Sequence, residues 1–478
     1  MNFYENRPQK DALYYFGLIC SIPHPSGHEK QLAQTLKNLA EQQGLSTVMD
    51  SAGNLRIDRP ASAGMEHAPH IILQGHLDMV PKAAPDKAFD FAEQPLELME
   101  EEGYLHADRT TLGADNGAGV ASALAILLDP ELKTGAVSGL FTISEETGLI
   151  GANALNPEML KGDWLFNLDA GNYHNFCIGC AGGARLSFRF PVSRIPAPEE
   201  TAYAVQLTGL AGGHSGSKIH EKRGNALILL CQFLKRAGIT ALCSLNGGSA
   251  DNAIPAEAEA LILTAQSRET LEALAEQFRR ESSGTFQAPG SYQIAIAPAE
   301  PETAILEPGF TETFLTLSAA VPNEVFDFDP QLKIVKTSSN FASIHTKDDF
   351  VEVHTSQRSL DDDSRKELTG KIAQHFAPLG GTAEVSGEYP GWPAKADSAP
   401  IRFVGKIHQE VFGEPHGVYA VHAGLETGAF AKKNPALEII SFGPMEEDIH
   451  TERERLHLEK YEEFNRLLRY IIEQAGKL

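Results

Sequence analysis

Apolar positions near the start of the chain repeat first at a helical period and then at a strand period. Asp11 to Ile22 carries helical spacing, Pro23-His24-Pro25-Ser26-Gly27 breaks it, and a second amphipathic helix is expected from about His28 to Gln43. Ser46 to Asp58 reads as a hairpin turning at Ala52-Gly53-Asn54. Three apolar runs of the kind that fill buried strands follow: Ile71 to Met79, Ala136 to Ser144 and Trp164 to Leu168, with a helix over Val120 to Leu128. Far downstream, Leu437 to Ser441 predicts another strand and Leu458 to Ala475 an amphipathic helix that would cover a sheet. Helices alternating with short apolar strands point to an α/β fold, a largely parallel mixed sheet flanked by helices.

The middle of the chain differs in character. From about Leu186 to Trp392, Val, Leu and Ile runs alternate with helices such as Glu269 to Arg280 and Asp363 to His375. Ala297-Pro298-Ala299-Glu300-Pro301-Glu302 reads as a loop. We expect an inserted domain over 186–392, which interrupts a discontinuous domain made of 1–185 and 393–478. An insertion of about 200 residues is roughly twice what one small α+β layer needs, so two packed subdomains are expected within it.

Bulk composition narrows the partners. At 478 residues the chain exceeds the size at which one core keeps growing, and 42% hydrophobic content builds two. Asp+Glu 64 against Lys+Arg 40 gives a formal charge of −24, which argues against nucleic acid and anionic membrane as partners. Five cysteines without scaffold-like spacing argue against a disulfide framework and for a reducing compartment, so a cytoplasmic location is expected. The first seven residues, Met-Asn-Phe-Tyr-Glu-Asn-Arg, do not read as a signal peptide, and no run approaches membrane-spanning length.

Candidate chemistry sits where apolar runs end. His76 and Asp78, two apart, would share one face of an extended strand. Asp115 stands in LGADNGAG at a helix entrance, where it also fits a plain N-cap. Glu145-Glu146 follows a strand, and neighbours on an extended chain point to opposite sides, so one carboxylate can bind metal while the other handles protons. Asp169 ends the next strand, and His450 follows the last. Singly, each also fits a solvated strand end or loop. Together, two histidines and several carboxylates at strand carboxyl ends form a mixed N/O set that suits zinc, with manganese or cobalt as substitutes.

The order His76-x-Asp78, Asp115-Asn116-Gly117, Glu145-Glu146, Asp169 and His450 resembles the co-catalytic zinc aminoacylase and carboxypeptidase superfamily of metallopeptidases. Within it, LGADNGAG, GCAGG, GGHSG, NAIP, YPGW and HAGLETG are similar to the aminoacyl-histidine dipeptidases, carnosinase-like enzymes, over almost the whole chain. The resemblance implies two Zn2+ per subunit bridged by Asp115, with His76 and Asp169 completing one site and Glu146 and His450 the other. It implies that Asp78 orients His76, that Glu145 is the general base, and that the substrates are small peptides, Xaa-His and other dipeptides. An N-acyl amino acid amidohydrolase or carboxypeptidase-like enzyme would share every ligand, and an inactive peptide-binding homologue is the remaining alternative. The inserted domain would be an α+β lid offering His214, Asn252 and Arg358 to substrate, with Glu426 of the other domain near a substrate amine. Shorter lids in the superfamily dimerise, whereas longer ones are expected to close in cis, so a homodimer stays open as the assembly. Two departures stand out: Ala170-Gly171 replaces the common acidic pair after the ligand aspartate, and Thr451-Glu452 replaces the common proline after the last histidine. Cys177-Ile178-Gly179-Cys180 has metal-like spacing without a second pair, and a backbone turn is expected there.

Overall fold

The computed structural model describes residues 7–8, 11–282, 284–286, 292–300 and 302–478. The N-terminal stretch 1–6 and Pro301 of the expected loop lie outside the described residues. Two compact units divide the chain: 1–179 with 394–420 and 425–478, and 180–393 with 421–424.

The first unit is built on an eight-stranded sheet running Ser46–Met49, Leu55–Arg59, Val137–Thr142, Ile71–His76, Trp164–Asn167, Glu438–Ser441, Asn175–Cys180 and Gly417–Val421. Its four central strands are parallel, while the Ser46–Asp58 hairpin and the Asn175–Cys180 strand join antiparallel. Ile71–His76, Val137–Thr142 and Trp164–Asn167 are buried at every position, as strands covered on both faces must be. Ala12–Cys20 forms a helix because Asp11 caps it, its side chain accepting from the Leu13 N–H at 2.9 Å. Ala114–Leu127 is rich in Ala and Gly and buried almost all round, the mark of a helix inside a core. Phe141 and Phe166 are fully buried, each worth roughly 1.5–3 kcal/mol of transfer free energy. Leu458–Ala475 buries Tyr461, Phe464, Leu468 and Ile472 along one stripe.

The second unit is an antiparallel sheet of nine strands, with Val325–Asp329 pairing off the main path. Its helices Ala226–Arg236, Arg268–Ser282, Pro308–Ala319 and Asp362–Phe376 supply side chains to the apolar cluster that reaches from Leu186 to Phe376. Length predicts two packed subdomains here; the described residues instead share one sheet and this common cluster. Two four-stranded halves meet where Ala241–Gly247 pairs with Ile334–Thr346 through only Asn246↔His345 and Gly247↔Ile344. The expected loop over 297–302 begins later than its Pro content implies, since Ala297 and Pro298 complete the edge strand Gln293–Pro298, where Pro is tolerated. Cys177 and Cys180 lie in a strand rather than a turn, and both are buried. Among the described residues no helix is long and apolar enough to cross a membrane.

Candidate metal centre

All four central strands of the first unit end on the same side, because parallel strands bring their carboxyl ends together. His76 is the last residue of its strand, Glu145-Glu146 follows Val137–Thr142, Asp169 follows Trp164–Asn167, and His450 comes after Glu438–Ser441. Asp115 enters from the start of the Ala114–Leu127 helix.

These five side chains converge. His76 Nε2 lies 3.1 Å from Asp115 Oδ1 and 3.4 Å from Asp169 Oδ1. His450 Nε2 lies 3.1 Å from Asp115 Oδ2 and 2.7 Å from Glu146 Oε1. Asp115 therefore turns one oxygen to each imidazole. His76, Asp115 and Glu146 each offer a ligand atom within 4.8 Å of the others. Burial alone would lower the His76 pKa, yet the charge of Asp169 and hydrogen bonds to Asp115, Asp169 and Asp78 outweigh it and hold the imidazole well above its usual range. Hydrogen bonds to Asp115 and Glu146 raise His450 to about 10. Three carboxylates gathered in poor solvent around two imidazoles are short of positive charge, and carboxylates left in that state are costly. Divalent metal ions fit this mixed imidazole and carboxylate donor set in softness.

The neighbouring polar groups correct two sequence arguments. Asp78 lies beyond the strand, and it is its backbone carbonyl that meets His76 Nδ1, at 2.9 Å, with the carboxylate at 3.4 Å. That carboxylate accepts from the Ser26 hydroxyl at 2.8 Å and from the N–H groups of Glu145 and Glu146 at 2.9 and 3.2 Å. Glu145 and Glu146 stand in a tight turn, not on an extended chain: Gly148 and Leu149 both donate to the Glu145 carbonyl. Their separation thus comes from a turn pinned to Asp78, and alternation along a strand does not account for it. Burial, then the charges of Asp169, Glu426 and Glu146, push the Glu145 carboxyl well above the usual carboxylate range.

Glu426 is 1% exposed and accepts from Gln74 Nε2 at 2.6 Å and Thr142 Oγ1 at 2.8 Å, leaving Oε1 without a hydrogen bond. Burial raises it to about 7. Gln74 accepts from Asn167, which in turn accepts from Ser441, so one polar chain crosses the strand ends from Thr142 to Ser441. Sequence reasoning passes over this chain, although polar residues inside otherwise apolar strands are its visible signal. It also passes over Glu454, whose carboxylate accepts from the N–H groups of Leu112, Gly113, Ala114 and Asp115 at 3.0, 3.2, 2.7 and 3.3 Å. Spacing carries no sign of that role. A carboxylate there satisfies the orphan donors of the helix start and fixes Asp115.

The remaining predicted residues belong to the second unit. His214 lies in a two-residue strand opposite Ala253, and the Ser215 N–H donates to the Asn252 carbonyl at 2.7 Å, so the GGHSG and NAIP segments meet. Gly216 and Ser217 N–H both donate to His214 Nδ1 at 3.2 Å. A nitrogen that accepts carries no proton, so His214 is the Nε2–H tautomer. Burial and then the nearby Arg358 charge lower its pKa and keep it neutral. Arg358 is 7% exposed, donates from Nη1 to Tyr389 Oη at 2.7 Å, and has an Nε without a partner. No carboxylate pairs with it among the described residues.

The model of Peptidase family M20/M25/M40 matches residues 72–474. The cytosol non-specific dipeptidase of Escherichia coli (strain K12) is 35% identical over 469 residues, 96% of each chain. A solved aminoacylhistidine dipeptidase from Vibrio alginolyticus superposes with a TM-score of 0.88 at 33% identity, covering 98% of this chain and 97% of that one. A tripeptidase from Staphylococcus aureus, at 17% identity and a TM-score of 0.60, shares the fold.

Proposed function

The chain belongs to peptidase family M20/M25/M40, and from that premise we propose that it is a metal-dependent dipeptidase that cleaves Xaa-His and other short dipeptides. His76 and Asp169 would hold one Zn2+, Glu146 and His450 the other, and Asp115 both, with Mn2+ or Co2+ as substitutes. The single observation that carries this reading is the Asp115 carboxylate, facing His76 with one oxygen and His450 with the other.

When bound, two such ions would polarise the scissile carbonyl and acidify the attacking water. Glu145 takes the proton of that water as its oxygen bonds to the carbonyl carbon, and returns it to the nitrogen as the C–N bond breaks. A carboxyl raised by burial binds that proton more readily than an ordinary carboxylate does. Asp78 holds the turn that carries both glutamates. In the second unit, read as the lid, the His214 Nε2–H is a neutral donor for the oxyanion, and Arg358 is a guanidinium free to take a substrate carboxylate. Asn252 is assigned to the same lid segment through its backbone bond to Ser215. Glu426, anchored through Oε2 to Gln74 and Thr142 with Oε1 left without a hydrogen bond, is assigned the contact with a substrate amine.

A hydrolysis panel on the zinc-loaded protein tests the reading. Xaa-His and other dipeptides should be cleaved well, with tripeptides and N-acyl amino acids cleaved poorly. Preference for the acyl amino acids would assign the same centre to an amidohydrolase.

A further inference from the structure

Three sequence motifs, GCAGG, YPGW and HAGLETG, contribute Gly183, Tyr389 and Gly424, and in the second unit these meet at one side chain. The Gly182–Pro191 strand lies between Phe350–Ser359 and Thr382–Tyr389, and along it Arg358, Gly183 and Tyr389 form a single rung. The central position of that rung has no side chain. A Cβ at Gly183 would stand 2.4 Å from Tyr389 Cζ and Oη, and one at Gly424 would stand 2.6 Å from Tyr389 Cε2. Both glycines therefore make a slot for the phenol ring, and the side chains of the outer strands meet across it, Arg358 Nη1 donating to Tyr389 Oη at 2.7 Å. The guanidinium is nearly out of water with no carboxylate beside it among the described residues and an Nε without a partner, a costly state that a bound anion would relieve.

We propose that Tyr389 is a positioning residue for substrate specificity: seated in its glycine slot, it fixes the Arg358 guanidinium to receive a substrate carboxylate, so that selection for a free C-terminal carboxylate depends on both residues. This rests on the reading of Arg358 as the carboxylate clamp. The phenol oxygen accepts from Arg358 and keeps its own proton, so it orients the fork without neutralising it.

The test uses the metal-loaded full chain with an alanyl-histidine dipeptide and its C-terminal amide, the amide being read as a competitive inhibitor where its turnover is slow. Tyr389→Phe retains the ring that fills the slot, so metal content and kcat should stay near wild type. KM for the dipeptide should rise roughly tenfold, the scale for losing a hydrogen bond to a charged group, while the amide is unaffected. Carboxylate preference should fall by the same factor, and in an Arg358→Ala background Tyr389→Phe should add nothing further. Unchanged preference in Tyr389→Phe, with preference lost in Arg358→Ala, would overturn the role of Tyr389 and leave the clamp standing. Equal weakening of dipeptide and amide by Tyr389→Phe would also overturn it, as a structural effect alone. Preference retained in Arg358→Ala would remove the clamp reading itself.

Discussion

The two units gather buried polar groups of opposite kinds. In the first, lone pairs face lone pairs: Asp115, Asp169 and Glu146 crowd two imidazoles, with Asp78, Glu426 and Glu454 behind them. In the second, Arg358 has no carboxylate beside it among the described residues and an Nε without a partner, and the His214 ring has its proton fixed on Nε2. One half asks for cations and the other for an anion. On the proposed reading, a peptide would supply the anionic side twice, as its terminal carboxylate and as the oxygen charge that develops during attack.

The sharpest way to break the comparison is to remove the cations. Dialysis against a chelator should abolish turnover almost completely, and zinc should restore it. Activity persisting in metal-free protein would leave the acceptor cluster without its proposed purpose.

Next in size is Glu145→Ala, expected to lower kcat by roughly 10²–10⁴-fold with both metals retained, because a positioned acid/base is lost and no ligand is. Metal analysis decides the point. Depletion equal to that of Glu146→Ala would mean that the two glutamates have been assigned in the wrong order.

On the donor side, His214→Ala should cost about 10²–10³-fold in kcat with KM little changed, since its donor meets charge that exists only in the transition state. A rise confined to KM would instead make His214 a ground-state contact.

The smallest effect tests the support behind Asp115. Glu454→Ala removes the acceptor for four backbone donors and should weaken metal affinity about 10–100-fold, the range for outer partners of metal ligands. Competition with a coloured chelator reads this directly. Unchanged affinity would restrict Glu454 to capping the helix.

By itself the sequence determined a good deal. A polar residue closing an apolar run marks a strand end, and His76, Glu145-Glu146 and Asp169 are visible for that reason, as are the strands that carry them. The order of strands and helices likewise announces an α/β sheet, because periodicity is a local property. Only the tertiary structure decided which atoms meet. The Asp78 carboxylate reaches the Glu145 turn from 67 residues away, Glu454 reaches Ala114 from 340, and Glu426 reaches Thr142 from 284. Arg358 faces Tyr389 only because strand register puts a glycine between them. Alternation along a chain states which face a side chain occupies, but register between distant strands is fixed by packing of the whole sheet, and that information is not local to any segment.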